Sequence, residues 1–296
     1  MSLDELRTLL DRHARSGVTT AIDGVLIGRA TRAHESSVSM SGTVLALIAQ
    51  GAKTLVLGDR VYEYRAGQYL VASVDLPVSG HYTEAPALGF GLVLDPAEIA
   101  ELLLAAPPGS LPQPDGPTSA IAVSDAPDEL IGAAVRMLRL LETPRDIPVV
   151  APLIRREILW RLVTGEQGAA VRQLGLAGSS VTQVAQAVRW IRDHYRESFR
   201  IDDLARRSGL SVSAFHRHFQ AVTAMSPIQF QKRIRLQEAR LMLAAQPNDV
   251  TGISHRVGYD SPSQFSREYR RQFGEPPSRD AARLRDGSPA PAMSVL

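Results

Sequence analysis

The chain has 296 residues, 44% of them hydrophobic, enough for two domains with separate cores. It contains no cysteine, which excludes disulfides, thiolate zinc sites and cysteine nucleophiles. The net charge of +2 hides two opposite halves: residues 181–285 hold 18 Arg/Lys against 10 Asp/Glu, whereas residues 1–180 hold 15 against 20. The net positive charge that phosphate neutralisation calls for is thus concentrated in the C-terminal part.

Leu3, Leu6, Leu9 and Leu10 mark one face of a short N-terminal helix. From residue 18 to residue 94 the pattern changes to short β runs, 25–27, 43–48, 54–57, 61–64, 69–74 and 88–94, with turn signals at Gly58-Asp59 and Ala66-Gly67. Strands at this spacing predict a sandwich or small barrel. Asp95 and Pro96 read as the cap and first residue of a helix. Five prolines and two glycines between Pro107 and Ser119 predict a flexible loop that interrupts the domain. Asp128 is expected to cap a helix that stops before Pro144, and a second helix is expected from Pro152 to Val163. Both carry apolar faces that would cover the barrel or form a dimer interface.

After a Gly-rich stretch, 175–180, the remainder reads as helical: 181–195, 201–208, 212–222, a long helix 227–245 opened by Ser226-Pro227, then 250–257, 261–273 and a short turn after Pro277. The expected domains are 1–175 and 181–285, followed by a disordered tail, 286–296. No apolar run approaches the roughly 20 residues that span a bilayer. The acidic start lacks a signal-peptide core. The expectation is a cytoplasmic, nucleoid-associated protein without a membrane partner.

One pattern occurs twice near the C-terminus. Leu204, Ala205, Gly209, Leu210, Phe215, Arg217 and Phe219 reappear as Ile253, Ser254, Gly258, Tyr259, Phe265, Arg267 and Tyr269, offset by 49 residues at the glycines and 50 at the arginines. Each copy is a helix, a glycine for a tight turn, and a second helix with aromatics at i and i+4 facing inward, the grammar of a helix-turn-helix. Burying Phe215 and Phe219 turns Ser213, His216, Arg217 and Gln220 outward. The same argument exposes Pro262, Ser263, Ser266, Arg267 and Arg270 on the second copy. Arginine on such a face either reads guanine O6/N7 or clamps phosphate. Two copies imply two successive major-groove contacts on double-stranded DNA.

The residues from Asp203 to Phe219, the run Arg235 to Arg240, and Val257, Gly258, Tyr259, Ser261, Ser263, Gln264, Phe265, Ser266, Arg267, Tyr269, Phe273, Gly274, Pro276 and Pro277 strongly resemble AraC-type bacterial transcription regulators. The resemblance implies two helix-turn-helix units joined by one long helix, gripping adjacent major-groove segments on one DNA face, commonly with bending. It places base contacts at Ser213, His216 and Arg217, then Pro262, Ser263, Ser266 and Arg267. Pro262 departs from the polar residues often found there and offers no side-chain hydrogen bond. Leu57, Gly58, Asp59, Arg60, Val61, Tyr62, Tyr64, Gly67, Tyr69 and Leu70, with the segment 73–78, resemble the AraC-type N-terminal domain, which implies a cupin-like barrel that senses small molecules or mediates dimerisation.

The expected fold is therefore α+β: an N-terminal cupin-like β-barrel with flanking helices, then an all-α domain. Tyr62, Tyr64, Tyr69, His81 and Tyr82 are candidate effector contacts, although tyrosines also pack sheets with their hydroxyls at the rim. His34, Glu35, His81 and Glu84 lack the paired His-x-His of metal-dependent cupins, so no metal and no cofactor is expected, and no catalytic constellation is visible. The function expected is a homodimeric, sequence-specific transcription regulator, not an enzyme, under an unidentified small-molecule effector, with RNA polymerase a candidate partner. The alternatives are an architectural DNA-binding protein and a cupin-type enzyme fused to DNA-binding helices.

Overall fold

A computed structural model describes residues 2–14, 19–33, 37–40, 42–57, 60–74, 77–112, 121–176, 178–246 and 248–285. The chain forms two compact units, one built mainly on Met1–Gln183 and the other on Val184–Gln220 and Met225–Met293. Among the described residues, no helix is long and apolar enough to cross a membrane.

The first unit begins with α1 (Leu3–His13), capped by the Ser2 hydroxyl and burying Leu6, Leu9 and Leu10. Seven antiparallel strands follow: β1 (Val25–Ala30), β2 (Ser37–Met40), β3 (Val44–Leu57), β4 (Arg60–Arg65), β5 (Gln68–Ala72), β6 (Pro77–Val93) and, after α2 (Pro96–Leu104), β7 (Ile121–Asp125). The strand order is β1-β6-β3-β5-β7, with β2 added to β6 and β4 to β3. The spine is the pairing of the two long strands. One half of β3 bonds β5 and the other half bonds β4, while β6 is shared in the same way between β1 and β2. Leu45, Leu47, Phe90 and Leu92 are fully buried along this spine.

Several expectations are corrected here. The runs 43–48 and 54–57 belong to one strand, which passes through Gln50, Gly51 and Ala52 with register shifts and positive φ at Gly51. A Cβ at Gly51 would lie 2.6 Å from the Glu84 carbonyl oxygen, so the close approach of β6 requires glycine. The strands at 37–40 and 121–125 were not anticipated, and β6 starts well before residue 88. By pairing with β5, β7 returns the chain to the same sheet after the Pro-rich loop, whose residues 113–119 lie outside the described residues, as do Gly58, Asp59 and the 286–296 tail.

Asp95 caps α2 through Ala97, with Pro96 at its first position, as read from sequence. Asp128 instead occupies the first turn of α3 (Asp128–Arg139), where its charge complements the helix dipole, and Pro127 holds the cap position. After two 3-10 turns, α4 runs Ile147–Thr164, starting five residues before Pro152. The unexpected α5 (Gly168–Gly175) is fixed by Arg172, which donates to the carbonyl oxygens of Val163 at 2.5 Å and Pro112 at 2.7 Å. Ion pairs Arg139–Glu5 and Arg136–Glu157 tie α1, α3 and α4 together.

The second unit is helical: α6 (Ser180–Asp193), α7 (Ile201–Arg207), α8 (Val212–Thr223), α9 (Pro227–Ala245), α10 (Val250–Arg256), α11 (Pro262–Phe273) and α12 (Pro277–Arg285). Ser226 and Gln229 close a capping box on α9 with Pro227 in its first turn.

Candidate nucleic-acid interface

The two copies of the repeat fold into the same hydrogen-bonded object. Leu210 N–H donates to the Ala205 carbonyl at 2.9 Å, and Tyr259 N–H to the Ser254 carbonyl at 3.0 Å. Gly209 and Gly258 take φ of +68° and +91°, a conformation costly for any residue with a Cβ. Ser211 then accepts from Ala214 N–H, and Ser261 from Gln264 N–H, both at 3.3 Å, capping α8 and α11. The offset grows from 49 to 50 between turn and cap because the second copy inserts one exposed residue, Asp260.

Packing then selects the outer face. Phe215 and Phe219 are fully buried, with ring centroids 5.5 Å apart, and Phe265 and Tyr269 repeat this arrangement at 5.5 Å. On α8 the opposite side exposes Ser213, His216, Arg217 and Gln220, while His218 is half-buried. On α11 it exposes Ser263, Arg267 and Arg270 and leaves Pro262 and Ser266 half-buried. Among the described residues Arg217, Arg267 and Arg270 form no ion pair. By contrast, Arg206 and Arg256, on the first helix of each copy, are held by Asp203 at 3.0 Å and Asp249 at 3.2 Å. The outward arginines therefore keep all their donors for an external acceptor.

The long helix α9 holds the chain ahead of the first copy and the turn of the second. Arg235 donates to the Tyr195 carbonyl at 2.6 Å, to the Arg196 and Glu197 carbonyls at 3.1 Å, and to the Gly258 carbonyl at 2.6 Å. One turn earlier, Gln231 donates to the Tyr195 and Glu197 carbonyls. Burial lowers the Arg235 pKa, against the opposing pull of Tyr259, Asp260 and Glu268.

Two carboxylates inside the second copy organise its core. Glu268 accepts from Lys232 at 2.7 Å, Tyr259 at 2.8 Å and Gln264 at 3.2 Å. Burial pushes its carboxyl up, but these three donors outweigh burial and hold it below its ordinary value. Asp280, fully buried, accepts from Arg240 at 2.8 and 3.2 Å, Tyr269 at 2.7 Å and Arg283 at 2.6 Å. Sequence reasoning assigned no role to Glu268, Asp280 or Arg235. The spacing of four between Gln231 and Arg235, which puts both on one face of α9, was the available signal.

The family model for the AraC-type transcriptional regulator N-terminus matches residues 21–170, half of the chain, and a helix-turn-helix domain model matches residues 204–283. The chain belongs to the AraC-type transcriptional regulators. It is 29% identical over 153 residues to the HTH-type transcriptional activator RhaS of Escherichia coli O1:K1 / APEC, covering 52% of this chain and 53% of that protein. With RhaS of Escherichia coli strain SE11 it shares 31% identity over 109 residues, covering 37% and 39%. The chain thus spans about half or less of the length of these relatives. In fold it is similar to apo ToxT of Vibrio cholerae strain SCE256, with a TM-score of 0.54 at 10% identity, covering 91% of this chain and all of ToxT.

In this AraC-type chain the five effector candidates separate. Tyr64 and Tyr82 are buried and stand directly opposite Lys53, on one face of the sheet, with half-buried Tyr62 two residues along β4. His81, half-buried, alternates to the other face. The Tyr69 pKa is raised, first by burial and then by Glu166, against hydrogen bonds with Ser124 and the Gln167 backbone, which anchor the hydroxyl near the α4–α5 turn. His34 and Glu35 lie outside the described residues, and Glu84 is exposed.

Proposed function

We propose that this protein is a sequence-specific transcription regulator whose two helix-turn-helix units read successive major-groove segments of double-stranded DNA, and whose N-terminal domain receives a small-molecule effector. The observation that carries it is the repeat of one hydrogen-bonded turn, each copy presenting an exposed arginine with no ion-pair partner among the described residues. Ser213, His216 and Arg217 on α8, and Ser263, Ser266, Arg267 and Arg270 on α11, supply the contacts, and Pro262 supplies shape only. A homodimer through α4 fits its exposed Val149 and Leu153.

Selection from a random duplex library at about 150 mM salt tests this reading. Two enriched blocks about one helical turn apart are expected. Arg217→Ala should lower affinity for the enriched site by about 1–3 kcal/mol and relax one base position. Equal affinity for all sequences would replace the reading with architectural DNA binding.

A further inference from the structure

Cationic positions in this chain are nearly all arginine: of 33 Arg and Lys residues, only Lys53 and Lys232 are lysine. Lys232 makes an ion pair of the ordinary kind, with Glu268. Lys53 stands in the middle of β3, 4% exposed, with Tyr64 of β4 and Tyr82 of β6 as its direct cross-strand partners. The three side chains form one row across three strands. The Lys53 Nζ lies 5.2 Å from the centre of the Tyr82 ring, and no carboxylate pairs with it among the described residues. Beside it the Tyr64 hydroxyl is buried without a hydrogen-bond partner.

Burial of an ammonium without an opposite charge disfavours the charged form, so lysine in such a place releases its proton more readily. Burial pulls Lys53 down to about 7. Arginine, this chain's default cation, cannot lose its charge in this way. Among the described residues the row thus presents an amine with no carboxylate partner, able to act as a nucleophile, and a phenol with no hydrogen-bond partner, whose burial keeps it protonated.

We propose that Lys53 is the attachment point for a carbonyl-bearing small molecule, an aldehyde or ketone, held as an imine, with the Tyr64 hydroxyl hydrogen-bonding the carbonyl oxygen during the addition step, before that oxygen leaves as water. The Nζ lone pair adds to the carbonyl carbon, and the carbonyl π electrons pass to oxygen, which takes one amine proton by way of Tyr64. The hydroxyl then leaves with the second amine proton as water while the nitrogen lone pair closes the C=N bond. The step is reversible and needs no oxidant or reductant. It rests on the reading that the N-terminal domain receives an effector, and it names that effector's reactive group.

The test uses the full-length protein at pH 7 with butanal as probe and cyanoborohydride to trap any imine, followed by peptide mapping. Only three amines compete, Lys53, Lys232 and the N-terminus, and the last serves as an internal control. Lys53 should be alkylated at least about tenfold faster than Lys232, whose ammonium is engaged by Glu268, because burial leaves a large fraction of Lys53 unprotonated at pH 7. Lys53→Met should lose the adduct while the N-terminus still reacts, and Tyr64→Phe, which keeps the buried ring, should slow trapping about tenfold. Labelling of the N-terminus with Lys53 untouched would overturn the proposal. So would butanoate shifting the Lys53 titration with no butanal adduct formed, which would make the row an anion seat. DNA affinity measured in parallel separates the two ideas: an adduct without a change in affinity keeps the imine and removes the effector reading, whereas a carbonyl-free ligand that shifts affinity without any adduct does the reverse.

Discussion

Phe215, Phe219 and Phe230 fill the first helix-turn-helix with rings, whereas the second sets Tyr259 and Tyr269 on its aromatic cluster and ties their hydroxyls to Glu268 and Asp280. Turn, caps and outward arginines are the same, yet the interiors solve the packing problem differently. The hydrophobic burial of rings is less directional than hydrogen bonding, although the pairs keep edge-to-face or tilted geometries. The carboxylate networks fix orientation through short, charge-assisted hydrogen bonds, at the risk that losing one member strands the others. A repeated motif therefore specifies a backbone and an outer face, while each interior is free to drift.

The largest break should come from Asp280→Ala. It leaves the buried Arg240, the Tyr269 hydroxyl and Arg283 without their common acceptor and should cost about 3–5 kcal/mol in urea unfolding. A loss below about 1 kcal/mol would show that the second core is held by its rings, like the first. The two turn glycines sharpen the contrast next. At Gly209 a Cβ meets nothing within 4 Å, so Gly209→Ala should cost only the left-handed backbone, about 1–2 kcal/mol. At Gly258 a Cβ would collide with the Arg196 carbonyl oxygen and lie 2.9 Å from Arg235 Cζ, so Gly258→Ala should add about 1–3 kcal/mol to the same strain. Equal Tm shifts for the two variants would contradict that difference.

The smallest effect is one of pH. Glu268 is held below its ordinary value of 4.5, so its contribution is complete above that pH and is lost as the pH falls through the lower folded-state value. The second helix-turn-helix should loosen first on acidification, seen as NMR shift changes in α11 that precede those in α8. Simultaneous changes would remove Glu268 as the cause.

The helix-turn-helix pair was legible because its signals are local: aromatics four apart, a glycine at each turn, serine caps. The sheet domain was legible in class but not in strand length. Gln50, Gly51 and Ala52 look like a break between two β runs, because glycine and polar residues weaken a strand. The structure carries β3 through them because β6 approaches so closely that only glycine fits, a tertiary fact with no local trace. The helix α5 escaped notice for a related reason. Gly175 is shaped by contact, since a Cβ there would lie 2.7 Å from the Ala100 backbone nitrogen of α2. Lys53 was invisible as a site because its burial depends on partners in two other strands.

Arg235 has one more consequence. A single guanidinium holds the chain ahead of α7 and the turn ahead of α11, so if α8 and α11 read DNA as proposed, part of their relative placement is fixed before a duplex arrives. Where the spacing of two grooves does not match that placement, the adjustment falls to the nucleic acid, at a cost of roughly a few kcal/mol that depends on the stiffness of the bases in between. Pyrimidine–purine steps in that spacer would lower the cost, so base pairs that no side chain touches would enter the protein's choice of target.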